Sequence, residues 1–84
     1  MHSDREAIFE LVIRHAREVV PELQGHAFQP TDRLADLGAN SIDRAEIVTM
    51  TMETLGLRIP RVELFGATNI GELVDVLLQK SQST

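Results

Sequence analysis

The sequence predicts an all-α fold, a small helical bundle, and three observations predict it. Three stretches carry apolar residues at helical spacing, about 100° per residue, with charged residues on the opposite side. Pro21, Gly56, Pro60 and Gly66 stand between them as helix-stopping residues. The apolar content, 43% of 84 residues with three Phe and no Trp or Tyr, is ample for a core and makes that core aliphatic. A chain of this length is one domain, residues 1–84, with little stability to spare.

Ser3 and Glu6 have capping-box spacing, and Asp4 adds negative charge to the first turn. Beyond them Ile8, Phe9, Val12, Ile13, Ala16, Val19 and Val20 share an arc opposite Glu10, Arg14, Arg17 and Glu18. Pro21 forces Val20 out of helical geometry, so the first helix ends near Val19. His15 falls on the rim of the arc and is expected to be a partly buried edge residue. His2 and His26 are isolated, so no metal site is assigned.

Residues 21–40 form a long connection, the kind that is functional or tethered. Leu23, Phe28, Leu34 and Leu37 are the expected tethers, and Thr31-Asp32 is placed to cap a short turn. The loop has neither glycine-rich phosphate-binding pattern.

The second helix is predicted from Ser41 to Leu55, with Gly56 as its stop. Asn40 is its N-cap, and Asp43 sits at capping-box spacing although Glu or Gln is usual there. Ser41 then occupies the first helical position, near free N–H groups where an attached phosphate is favoured. A serine at a helix start is usually just a capping residue, so spacing alone leaves modification as the minority reading. Ala45, Ile47, Val48, Thr51, Met52 and Leu55 make the core arc. Asp43, Glu46 and Glu53 gather on the other side with Ile42 and Met50 among them, which fits either a docking surface or ordinary surface scatter.

Leu57-Arg58-Ile59-Pro60 is extended, and residues 61–65 make a one-turn third helix before Gly66. Thr68 or Asn69 caps the last helix, with Ile70, Leu73, Val74, Leu77 and Leu78 inward and Glu72, Asp75 and Gln79 outward. Residues 81–84 are expected to fray.

The chemistry is bounded by what is missing. With no Cys there is no disulfide framework, thiolate metal site or thiol nucleophile. A net charge of −5 opposes nucleic acid and anionic membranes and favours basic partners. No secretory pattern or apolar run of spanning length is present, so a cytoplasmic location is expected. Nothing near Ser41 would activate it as a catalytic nucleophile, and the chain is expected to catalyse nothing itself.

Asp36-Leu37-Gly38-x-x-Ser41-Ile42-Asp43 resembles the D-L-G-x-D-S-[LI]-[DE] signature of acyl carrier proteins. The likeness extends over residues 8–78. It implies the acyl-carrier-type four-helix bundle, with Ser41 carrying 4′-phosphopantetheine placed there from coenzyme A by a phosphopantetheinyl transferase. Asp36, Gly38 and Asn40 would frame the attachment site. Ile42, Asp43, Arg44, Glu46, Met50 and Glu53, with Val62 from the third helix, would meet partner enzymes. The acyl chain would be sheltered between the second and third helices, where Ile59 and Val62 line the pocket or border the docking site.

Asn40 departs from the family's usual Asp, keeping the cap while removing a charge available to a basic transferase. Gly38-Ala39-Asn40-Ser41-Ile42-Asp43-Arg44-Ala45-Glu46-Ile47-Val48 is especially similar to donor carriers of bacterial polyketide β-branching cassettes. That likeness implies as partners a ketosynthase-like decarboxylase, an acyltransferase and an HMG-CoA-synthase-like enzyme, with the chain acting as a monomer. The alternatives are a chain-extension or fatty-acid carrier and, from another class, a small helical adaptor with no prosthetic group.

Overall fold

The computed structural model describes residues 5–60, 64 and 66–82. They form α1 (Arg5–Val19), a 3₁₀ turn (Pro21–Gly25), α2 (Ser41–Leu55) and α3 (Ile70–Gln82), with no strand among the described residues. The capping box expected at Ser3 and the one-turn helix expected at residues 61–65 fall largely outside the described residues.

α1 ends where Pro21 requires. Val20 leaves helical geometry (φ −123°, ψ 87°) while its N–H still reaches Ala16 O at 2.8 Å. The face of Ile8, Val12 and Ala16 is fully buried against Ile47 of α2 and Val74 and Leu77 of α3 in one aliphatic core. Ile13, expected in that arc, is only half-buried.

α1 packs closely on both α2 and α3, whereas α2 and α3 have little direct contact with each other. The space between them is closed by the long loop and by Leu64 and Ala67, and this gap positions the site described below.

The loop is more ordered than its composition suggests. Leu23 and Leu34 are buried, and Phe28 and Leu37 lie half-buried on the core, so the expected tethers hold it down. Arg17 adds a polar strap, donating to Leu23 O and His26 O while its guanidinium lies 5.3 Å from the Phe28 ring centroid. Asp32 does not cap the turn that follows. Its carboxylate accepts from Gln29 N–H at 2.8 Å and lies 3.0 Å from His26 Nε2, so His26 is not isolated as its sequence position implied. Both contacts hold the Asp32 carboxyl below its usual range, the backbone N–H of Gln29 contributing most.

The loop is also bonded to the start of α3, where Ile70 N–H donates to Asp32 O and Gly71 N–H to Pro30 O. Gly71 allows this approach, because a β-carbon there would stand 3.1 Å from Pro30 O.

His15 is buried rather than a rim residue, because α2 covers it. Its Nε2 lies 3.2 Å from Thr54 Oγ1 and its Nδ1 3.0 Å from Glu18 Oε1. The Thr54 hydroxyl donates to Met50 O, so it is left to accept from the imidazole. At α3, Asn69 is the cap, accepting from Glu72 N–H, while the Glu72 carboxylate turns back to the backbone N–H and hydroxyl of Thr68. The helix runs through Ser81, whose hydroxyl donates to Leu78 O, where fraying was expected.

Candidate functional site

The site is built by a turn, an anchor, a cap and a hydroxyl in succession. Residues 33–38 wind into a helical turn that ends at Gly38 with φ +100°, a backbone region that favours glycine. Gly38 N–H then donates to Ala35 O and Ala39 N–H to Leu34 O, the bonding of a Schellman stop. Gly56 (φ +69°) ends α2 in the same way, with Leu57 N–H on Met52 O.

Ala39, 2% exposed, drops into the core and fixes the next residue. Asn40 is therefore held at the N-cap. Its Oδ1 accepts from Asp43 N–H at 2.8 Å, and Asp43 Oδ2 accepts from Asn40 N–H at 3.2 Å. The capping box closes even though Asp stands where Glu or Gln is usual.

Ser41 is the first residue of α2 and is exposed. The N–H groups of Ser41 and Ile42 have no acceptor among the described residues. Two open donors and the positive end of a helix surround the place where a phosphate on Ser41 Oγ would sit. These residues fit a phosphodiester-linked group.

Ser41 also stands on the wall of a cleft of about 520 Å³. Leu34, Val48, Leu64, Ile70 and Leu73 supply its apolar surface, in the gap between α2 and α3. Arg33, Asp36, Arg44, Thr68 and Asn69 supply its polar surface. Arg44 is partly anchored, donating to Ala39 O at 2.8 Å.

Of the residues expected to frame the attachment, Asp36 and Ser41 share the cleft. Asn40 is occupied as a cap, and Gly38 acts through the turn it ends. Of the expected docking residues, Ile42 is 75% exposed, the one large apolar side chain so placed among the described residues. Glu46, one turn on, and Glu53, three turns on, are exposed on α2, but Met50 is half-buried and the Asp43 carboxylate is drawn back into the capping box. Val62 lies outside the described residues, and Ile59 is part of the core.

Arg33, Thr68, Asn69 and Leu73 were not identified as site residues from the sequence. Thr68, Asn69 and Leu73 are far from Ser41 along the chain and come near it because the loop is bonded to α3, whereas Arg33 is eight residues away in an irregular loop whose course no periodicity records. No group of three or more His, Asp or Glu side chains suited to a metal occurs among the described residues, and no helix described is long and apolar enough to cross a membrane.

Residues 10–77 match the model of the phosphopantetheine attachment site family, and the chain belongs to that family. Its fold is that of an acyl carrier and its prosthetic group is 4′-phosphopantetheine. Among curated proteins it is 58% identical over 80 residues to the polyketide biosynthesis acyl-carrier-protein AcpK of Bacillus subtilis (strain 168), covering 95% of this chain and 98% of that one. Among solved structures it matches a chain from the crystal structure of the curacin biosynthetic pathway HMG synthase in complex with acetyl donor-ACP. The TM-score is 0.89 at 46% identity, covering 93% of this chain and all of the other.

Proposed function

We propose that this protein is the acetyl-donor carrier of a polyketide β-branching system, with the prosthetic group attached at Ser41 Oγ. One observation carries the reading. Ser41 is an exposed hydroxyl at the first position of a helix, with two open N–H donors beside it and a cleft at its side. The likeness to a donor carrier crystallised with an HMG synthase supports the donor role.

During attachment the Ser41 oxygen attacks the phosphorus of coenzyme A that becomes the arm's phosphate. The phosphoanhydride bond breaks, adenosine bisphosphate leaves, and the hydroxyl proton passes to a base of the transferase. The group supplies a thiol that holds the acyl cargo as a thioester. The chain's own residues catalyse no step; they hold the attachment point at a helix start and present a docking face. Ile42, Glu46 and Glu53 form that face, where acidic charge steers and one apolar side chain fixes register. The partners are a phosphopantetheinyl transferase, an acyltransferase and ketosynthase-like decarboxylase that set the cargo, and an HMG-CoA-synthase-like acceptor, all met in the cytoplasm.

Incubation with coenzyme A and a promiscuous transferase should add one phosphopantetheine by intact mass, and Ser41→Ala should abolish it. The acetyl-loaded protein should then be turned over by the HMG-CoA-synthase-like enzyme in preference to chain-extending ketosynthases. Equal turnover by both would remove the donor role and leave the carrier role standing.

A further inference from the structure

The cleft beside Ser41 is charged opposite to the molecule that contains it. The chain has a net charge of −5, yet two arginines and one aspartate contribute to the cleft's lining. The arginines come from different elements, Arg33 from the loop and Arg44 from α2. Arg33 lies close enough to the start of α3 for its charge to help lower the Glu72 carboxyl, after the two contacts from Thr68. A purely apolar acyl chain would use the apolar part of this lining but leave both guanidinium groups without an anionic partner.

Resting on the reading of Ser41 as the attachment point, we infer that the cleft accepts the free carboxylate of a short dicarboxylic acyl thioester folded back from the arm. Arg33 is its principal partner and Arg44 adds positive charge. The arm carries a second anion, its phosphodiester, which could present the same chemistry. That anion is rooted on Ser41 Oγ, where the open N–H groups of Ser41 and Ile42 already provide for it. Arg33 belongs to the loop bonded to α3, so it is available to an anion at the arm's far end. The guanidinium fork matches a carboxylate. Val48 and Leu73 offer an apolar wall for the short carbon chain, and a cleft of about 520 Å³ is within the range of small-molecule sites. When a partner decarboxylase breaks the C–C bond, carbon dioxide leaves, the electron pair stays on the α-carbon and that carbon takes up a proton; the charge partner is then gone, so the monocarboxylic cargo is released toward the acceptor enzyme. The cleft would thus distinguish cargo before decarboxylation from cargo after it.

The test compares four forms of the full chain by NMR: unmodified, carrying the arm with a free thiol, acetyl-loaded and malonyl-loaded, each confirmed by intact mass. The signals read are the guanidinium Nε–H of Arg33 and Arg44 and the backbone amides of Thr68 and Ile70. Shifts confined to the malonyl-loaded form, lost in Arg33→Gln and retained in Arg33→Lys, are the expected result. Equal shifts in the free-thiol form would assign the arginines to the phosphodiester and overturn the inference. It is also overturned by no shift in any loaded form, or by a malonyl-specific shift that survives in Arg33→Gln. Failure of the mass to change on loading is a different result, since it removes the attachment at Ser41 itself.

Discussion

Asn40 and Asp43 determine how Ser41 is presented, each side chain accepting from the other residue's backbone N–H. Asn40 satisfies Asp43 N–H, and losing that cap costs about 1 kcal/mol of stability. Asn40→Ala should lower stability by that amount in chemical denaturation. Asn40→Asp keeps an acceptor and adds negative charge at the start of α2, a gain of about 0.3–1 kcal/mol at low salt. Asp32 makes a pH-dependent contribution. Its folded carboxyl titrates below the unfolded value of about 3.9, so its stabilisation is complete above that value. It is lost as pH falls through the lower folded value. Asp32→Asn should therefore flatten the acid side of a stability–pH profile just below pH ~4.

Between elements, the informative contrast is the exposed face of α2 against the joint of loop and α3. Ile42 contributes no burial to the core, so Ile42→Asp should leave the denaturation midpoint nearly unchanged. The same change should weaken binding to partner enzymes by about 2 kcal/mol or more, the scale of a docking hot spot, as read by titration calorimetry. Gly71→Val should do the reverse. Its side chain would meet Pro30, and such overpacking costs about 1–3 kcal/mol, with the loop carrying Arg33 displaced as it relaxes. The exposed face of α2 was legible from its spacing, except that Met50 is half-buried and Asp43 is spent on the cap. The loop–α3 joint was not, because its bonds run between backbone groups of residues 30, 32, 70 and 71, which no side-chain pattern records.

For the whole molecule, stability of roughly 0.05–0.15 kcal/mol per residue leaves a margin of only about 4–13 kcal/mol for a chain this size. Leu77 is fully buried between α1 and α3. Leu77→Ala should remove about 2–5 kcal/mol, a large share of that margin, and the thermal midpoint should fall accordingly. The core faces of the three helices were predictable because helical periodicity and burial are the same fact read two ways. His15 escaped that logic. It sits at the edge of its own helix, and the packing of α2 on α1, which brings Thr54 to its ring, makes it interior.

Local signals, which act over a few residues, are what the amino-acid order by itself determined: the helix limits at Pro21 and Gly56, the cap at Asn40, the outward hydroxyl of Ser41 and the exposed Ile42. Each is set by neighbours within one or two turns. What only tertiary structure decided is the cleft. Arg33, Thr68 and Leu73 join Ser41 because α1 holds α2 and α3 apart and the loop bridges them, and contacts between distant stretches of chain leave no periodic trace in the sequence.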